Sequence, residues 1–334
     1  MRRVGRLYDS IIDPENLKRA YLEARRGKTL SVSALGFRSC EEAELRGIHD
    51  ELAGGRFHFG EYRRFTIEDP KRRVICAAPF RERVVHHAIV RVMGPFLERS
   101  QIFHSYACRR GKGTERALLQ AFAWARSAPA FLKLDIRKYY DSIDHGILRA
   151  QLARVFKDSR LLELLDGLID SYRTTPGKGL PIGNLTSQYF ANHYLGLFDH
   201  DLERPGLGAR YLRYMDDMLI FPRDRECTRG IIDAARERLA HSLSLELKPP
   251  VAGSCDRGIP FLGFLVFPDR VRLLAANKRR FRAKAAAIEA SIAGNRLDEA
   301  EAGARAASLV AVRRAARCRA LANSIWYDGQ GEEP

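Results

Sequence analysis

The chain has 334 residues, 46% of them hydrophobic, so a folded, soluble protein of one large domain or two to three packed subdomains is expected rather than a minimal module. Lys and Arg number 57 against 41 Asp and Glu, a formal charge of +16 that would attract a phosphate backbone, although charge alone names no partner. The cysteines Cys40, Cys76, Cys108, Cys227, Cys255 and Cys318 are scattered without a C-x-x-C pair, which excludes a zinc or disulfide framework and points to reduced thiols in the cytoplasm. Acidic Asp9, Asp13 and Glu15 follow closely on Arg2, Arg3 and Arg6, so no signal peptide is expected, and no run approaches a membrane span.

Between residues 14 and 26, Leu17, Ala20, Tyr21 and Ala24 recur at helical spacing with Gly27 as a stop, which predicts a scaffold helix. Residues 63–67 and 73–76 read as an antiparallel strand pair around Glu68-Asp69-Pro70-Lys71, with cations able to reach a phosphate. A long helix follows from about 81 to 97, striped by Val84, Val85, Ala88, Ile89 and Val92 and kinked or ended by Gly94-Pro95. Its adjacent His86 and His87 point to different sides with no ligand at metal spacing and read as structural.

Residues 105–114 set Arg109, Arg110 and Lys112 among glycines ahead of a helix at 115–128. Donors at a helix start and nearby cations suit a triphosphate, but this is not a Walker A pattern and a solvated basic loop fits equally well. In residues 131–136, Leu132, Leu134 and Ile136 share one strand face and Phe131, Lys133 and Asp135 the other, which presents Asp135 near the strand end. Helices are expected at 145–156 and 160–172, and the glycine-rich connection 177–184 leads to another at 186–200. Two apolar strands, 211–215 and 218–221, flank Asp216-Asp217 as a tight acidic hairpin. Beyond a helix at 226–243, residues 259–264 and 271–274 suggest a second hairpin. An Ala- and Arg-rich segment from 278 to about 324 reads as helical, its basic face suited to a duplex and Ile288, Ile292, Leu297, Leu309 and Val310 anchoring it.

The sharp feature is chemical. A folded sheet could bring Asp135 and the Asp216-Asp217 pair together as hard oxygen ligands, and crowded carboxylates need counter-charge. Two magnesium ions would supply it while activating a primer hydroxyl and stabilising the phosphate under attack and the departing pyrophosphate. Taken alone, Asp216-Asp217 could equally fill a turn, where Asp is common for backbone reasons.

Tyr214-Met215-Asp216-Asp217 resembles the catalytic hairpin of reverse transcriptases, and Leu134-Asp135-Ile136-Arg137-Lys138-Tyr139-Tyr140-Asp141-Ser142-Ile143-Asp144-His145 resembles their first metal-binding motif. Gly179-Leu180-Pro181-Ile182-Gly183-Asn184-Leu185-Thr186-Ser187-Gln188, followed by Ala191-Asn192-His193-Tyr194-Leu195 and Asp199-His200, is similar to the reverse transcriptases of diversity-generating retroelements. Many group II intron and retron relatives instead carry Gln where Ile182 stands and Ser-Pro where Ser187-Gln188 stands. The likeness also takes in residues 79–88, 106–113 and 258–263, and so spans about 10 to 275.

This resemblance implies an α+β right-hand polymerase with an antiparallel palm sheet, basic fingers and a helical thumb. Residues 1–128 would form the N-terminal helix and fingers. Residues 129–270 would form the palm with a helical connection to the fingers, and 271–334 the primer-grip end and thumb. It implies an enzyme that makes DNA on an RNA template, using two Mg2+ ions and deoxynucleoside triphosphates, with no separate nuclease. Asp135, Asp216 and Asp217 inherit the metal site, while Asp141 and Asp144 are read as local support, Asp144 as a helix cap. Arg73, Arg109 and Lys112 become candidates for the triphosphate, with Lys71 and Arg110 as substitutes, and Ile136 and Tyr140 join them at the nucleotide. Tyr140 matches the bulky residue beneath the sugar that opposes a 2′-hydroxyl, and Ile182 and Gly183 the contact with the templating base, where Ile in place of Gln weakens selection at template adenine.

Lys248 resembles the lysine that protonates pyrophosphate, although Pro249-Pro250 replaces the usual basic residues and a surface lysine is nearly as good a reading. Phe261, Leu262 and Gly263 match the primer grip, with an apolar core strand as the other account. Expected partners are a structured template RNA, a primer and cDNA duplex and a small basic accessory variability protein, with no membrane. A group II intron-like or retron-type enzyme and an RNA-dependent RNA polymerase are the rival functions.

Overall fold

The structure, a computed structural model, describes residues 3–26, 32–68, 72–204 and 209–294; Lys71, Leu297, Leu309, Val310 and the helix expected beyond residue 294 lie outside them. Helices α1 (Tyr8–Ile12), α2 (Pro14–Arg25), α3 (Val32–Ser39) and α4 (Glu41–Ala53) precede strands β1 (Arg63–Ile67) and β2 (Arg73–Ala77). Then come α5 (Phe80–Arg99), α6 (Thr114–Ala125), β3 (Ala130–Leu134), α7 (Tyr139–Ser142), α8 (His145–Val155), α9 (Ser159–Asp170), α10 (Leu185–Tyr194) and α11 (Gly196–Leu202). Strands β4 (Ala209–Tyr214) and β5 (Asp217–Pro222) lead through α12 (Arg225–Leu243) to β6 (Val251–Ser254), β7 (Ile259–Phe261), β8 (Phe264–Val266), β9 (Val271–Leu273) and α13 (Ala275–Ala293).

These elements form two compact units, each assembled from three separate stretches of chain. The first is Met1–Ile102, Arg137–Asp201 and Arg236–Glu246; the second is Phe103–Ile136, Leu202–Ala235 and Leu247–Pro334.

The first unit is mainly helical. Asp13 accepts the Asn16 amide and Pro14 opens α2, so this helix starts where the sequence marks it, and its stripe of Leu17, Ala20, Tyr21 and Ala24 is wholly buried. It packs against α5, whose Val84, Val85, Ala88, Ile89 and Met93 have no exposed surface. Of the two outcomes expected at Gly94-Pro95, a kink or an end, the end does not occur: α5 runs on to Arg99, and Pro95 lies on an exposed face where water can take the carbonyl its ring leaves unpaired. The helix expected at 186–200 is instead two, α10 and α11, divided before Gly196. Asp144 caps α8 by accepting the Ile147 amide at 3.1 Å, as its position suggested.

In the second unit an antiparallel sheet runs in the order β4-β5-β3-β6. The alanine face of α6 (Ala117, Ala121 and Ala125) shares one core with Phe131, Leu212, Leu219 and Phe221. That core continues into a second sheet, β7-β8-β9, through Ile259, Phe261, Phe264 and Val266. The expected hairpin at 259–274 is thus three strands. Leu262 and Gly263 form an extra two-residue turn, both with positive φ, between Phe261 and its partner Phe264.

Candidate active site

Strand pairing decides where the acids go. Leu132, Lys133 and Leu134 of β3 lie opposite Ile220, Leu219 and Met218 of β5, so continuing the register by one residue sets Asp135 across from Asp217. On the other side of β5, Tyr214 pairs with Asp217, leaving Met215 and Asp216 as a two-residue turn. Met215 has φ +54, a left-handed conformation that costs a non-glycine residue about 1–2 kcal/mol. Arg213, wholly buried, supports this turn by donating to the Met215 carbonyl at 3.0 Å.

Two lysines answer the acids. Lys248 donates from its backbone amide to the Asp135 carbonyl at 2.9 Å and from Nζ to Asp135 Oδ2 at 2.7 Å. Lys133, diagonal to Asp217 across the strands, holds its Oδ1 at 3.1 Å by charge, without hydrogen-bond alignment, while donating to the Pro260 carbonyl at 3.0 Å. As placed, no three His, Cys, Asp or Glu side chains among the described residues converge closely enough to grip a metal. The donor set nevertheless fits one. Burial pushes the Asp217 carboxyl up to about 6; Lys133 opposes this, and the like charges of Asp216 and Asp135 add to it. A group of hard oxygen donors that raises its own proton affinity is short of positive charge, which is what a divalent cation provides.

That shift has a sign that can be tested. The native carboxyl holds its proton more tightly than the unfolded one, so stability declines as pH rises from 3.8 to about 6, and the cost is complete above that window. At 1.36 kcal/mol per unit the cost is about 3 kcal/mol at most. In the absence of divalent cations, Asp217→Asn is expected to raise the unfolding free energy at pH 7.5 by about 1–3 kcal/mol in urea titrations, with the gain vanishing near pH 4. An unchanged or lower value at pH 7.5 would show that the carboxylate is not strained.

The basic loop before α6 is tied to the same hairpin. The amide of Tyr106 donates to the Arg213 carbonyl at 2.9 Å, and Thr114 Oγ1 donates to the Tyr214 hydroxyl at 3.2 Å. Within the loop, Arg109 donates to the Ser105 carbonyl and Lys112 to the Phe103 carbonyl, with Lys112 Nζ 3.4 Å from the centre of the Phe103 ring. Burial lowers the Lys112 pKa, and the charges of Arg109 and Arg116 lower it further, so this loop is an electropositive cluster that an anion would relieve.

The remaining expected residues fall into separate places. Ile136 has no exposed side-chain surface and bridges to Leu247, so any contact with the nucleotide falls to its main chain. Phe261 is likewise core, a place compatible with its expected primer-grip role, and it leads into the turn of Leu262 and Gly263, where a Cβ on Gly263 would meet Asn277 Nδ2 at 2.3 Å. The first unit gathers the others. Tyr140, half-buried, accepts the Leu180 amide on its carbonyl at 2.8 Å, and Ile182 accepts the Cys76 amide of β2 at 2.8 Å. Gly183 has φ +122, and a Cβ there would lie 2.8 Å from Ile75. Arg73 is exposed at the start of β2, opposite Ile67.

Sequence reasoning missed Lys133 and Arg213 as parts of the site. Lys133 was visible as the residue two before Asp135 on the same strand face, but its partner depends on the β3-β5 register. No local signal marks Arg213, whose burial arises from the backbone bonds that hold it between His104 and Tyr106.

No helix among the described residues is long and apolar enough to cross a membrane. Over 168 residues the chain is 26% identical to the "Putative COX1/OXI3 intron 1 protein" of Saccharomyces cerevisiae, covering 48% of this chain and 20% of that protein. Over 227 residues it is 25% identical to "Protein YkfC" of Escherichia coli, covering 62% of this chain and 60% of that one. It therefore spans about a fifth of the yeast relative. Among solved structures it is similar to telomerase from Candida albicans, determined with a TWJ fragment of telomeric RNA, at TM-score 0.49 and 12% identity over 64% of this chain and 46% of that one. The family described as reverse transcriptase (RNA-dependent DNA polymerase) matches residues 68–266, a span that holds both strands of the acidic hairpin, β3 and the two lysines. Because that match covers more than half of the chain, this protein belongs to the reverse transcriptase family and to its right-hand polymerase fold class.

Proposed function

We propose that the chain is an RNA-directed DNA polymerase that copies a retroelement RNA into cDNA. The observation that carries this reading is the β3-β5 register, which sets Asp135 opposite Asp217 beside a strained turn bearing Asp216. Asp135 and Asp216 would hold two Mg2+ ions, with Asp217 in support, and the ions when bound supply activation of the primer hydroxyl and charge for the reacting phosphates. Lys248 would give a proton to departing pyrophosphate, a role supported by its hydrogen bond to Asp135. Arg109 and Lys112 attract the triphosphate, and Arg73 is a further candidate. Tyr140 excludes the ribose 2′-hydroxyl, Ile182 and Gly183 meet the template, and the Leu262-Gly263 turn grips the primer end. The subdomains follow the segments 1–128, 129–270 and 271–334.

The finer reading is mutagenic copying for targeted sequence diversification, error-prone at template adenines, in the cytoplasm and with a structured template RNA and a small basic accessory protein as partners. It rests on Ile182 and Ser187-Gln188. Similarity to the yeast intron 1 protein favours a second reading, a group II intron-like enzyme. Paired near-identical repeats and a small accessory gene beside the coding sequence would favour the first.

The test is primer extension on RNA with deoxynucleotides and Mg2+, run with and without the accessory protein and its template RNA. Template-dependent DNA synthesis is expected; its absence under all these conditions rejects the reading, and equal use of ribonucleotides would mark an RNA polymerase instead. Ile182→Gln should improve discrimination, most of all opposite adenine. A restored hydrogen bond of about 1.4 kcal/mol corresponds to roughly tenfold. Misinsertion ratios unchanged at all four template bases would remove Ile182 from the fidelity argument.

A further inference from the structure

In the first unit, α5 and the start of α10 enclose a cavity of about 170 Å³ lined by Arg83, His86, His87, Asn184 and Gln188. Its chemistry is unbalanced. Arg83 is half-buried, and burial alone pulls its pKa down, with no carboxylate acting on it and no ion pair among the described residues. A partly desolvated guanidinium without a counter-charge is costly and uncommon. Beside it, His86 is 1% exposed, and neither of its ring nitrogens has a hydrogen-bond partner. Asn184, 3% exposed, accepts the Ala78 amide on Oδ1 but leaves Nδ2 unpartnered. Although Asn184 occupies the N-cap of the ten-residue α10, its side chain does not cap, so the first amides of that helix keep their partial positive charge. Donors and positive charge therefore collect around one small space; Glu23 lies 3.6 Å from His87 Nδ1 and also pairs with Arg91, and no carboxylate among the described residues pairs with Arg83.

We infer that this cavity is a seat for one phosphate of a bound single-stranded nucleic acid, with Arg83 as its charge partner and Asn184 and the α10 amides as supporting donors. Its volume is large enough for a tetrahedral anion. A strand is the source the molecule favours, because the cavity is lined by Gly183, next to the Ile182 carbonyl that pairs with β2. The choice of strand rests on the polymerase reading; the anion chemistry does not.

The test separates the two. Binding of a labelled 12-nucleotide RNA is measured by anisotropy across a salt series, without metal or nucleotide, for the parent, Arg83→Gln and Arg83→Lys. Arg83→Gln should weaken binding about tenfold and flatten the log-log salt slope by about 0.7, the amount set by one single-strand phosphate contact, while Arg83→Lys restores most of that slope. The thermal midpoint of Arg83→Gln should be unchanged or higher, because an unpaired buried charge is removed; a purely structural arginine would lower it. In the parent, which needs no variant to fold, the RNA should shield Arg83 from phenylglyoxal, read by mass spectrometry, whereas inorganic phosphate and dATP should not. Equal affinity and slope in all three proteins, or no shielding by RNA, overturns the proposal. Shielding by inorganic phosphate or dATP and not by RNA overturns the strand as source. Loss of binding in Arg83→Gln by a parent that extends no primer would keep the seat and sink the polymerase reading instead.

Discussion

Asp135→Asn and Asp216→Asn are each expected to lower single-turnover primer extension by about a thousandfold, because losing a metal-binding carboxylate removes on the order of 4 kcal/mol of transition-state stabilisation. Asparagine keeps the size and one oxygen of the parent side chain, so a loss of that order cannot be put down to packing. The main chain at Asp135 is held independently of its carboxylate, by the Lys248 amide on its carbonyl and by the adjoining β3-β5 pairs. RNA affinity should therefore stay within about threefold, since the phosphate-facing cations are untouched. Extension within tenfold of the parent by either variant would remove that residue from the metal site. At Asp135 the substitution also removes the charge that holds Lys248 Nζ at 2.7 Å, leaving it at most a neutral amide oxygen as acceptor, which makes Asp135→Asn the more damaging of the two.

Tyr140→Ala is expected to raise ribonucleotide over deoxynucleotide incorporation by about tenfold to a hundredfold, the range that one steric contact provides. The ring is half-buried beside Tyr139, at 5.8 Å between centroids, and its main chain is fixed by the Leu180 amide, so truncation opens space without releasing the backbone. Steady-state incorporation of matched pairs, such as ATP against dATP, measures the ratio. No change would place the discrimination in another residue, and a fall in both efficiencies at constant ratio would mean that Tyr140 supports the loop at Leu180 and does not gate the sugar.

What could be read from residues alone was whatever depends on short-range pattern. The stripe of α2, the alternation in β3 and the Asp144 cap each follow from spacing within a few residues, and each stands where spacing puts it, whereas the acidic turn lies one residue earlier than expected, at Met215-Asp216, with Asp217 paired in β5. The misses share a cause. A kink and an end stood equally open at Gly94-Pro95 because the side Pro95 faces is set by packing, and β7 and β8 were merged because Leu262 adopts a positive φ that leucine seldom takes. Lys133 and Arg213 matter through partners across strands and loops, which no window of sequence contains. Ile136 and Phe261 fit the family motifs by position, and both side chains are buried in the core.

The interleaving of the two units bears on biosynthesis. The first begins with Met1–Ile102 but is not complete until Glu246, and the second is not complete before Leu247–Pro334. A ribosome adding roughly 5–20 residues per second needs on the order of ten seconds or more to pass from the first of those stretches to the last, while α5 waits for α10 and α6 for β4, β5 and β8. Neither unit can finish folding until a late stretch of chain, Arg236–Glu246 for the first and Leu247 onward for the second, has been made. Expression yield should accordingly respond to lower temperature, slower translation and chaperone supply more than to substitutions that stabilise the finished protein.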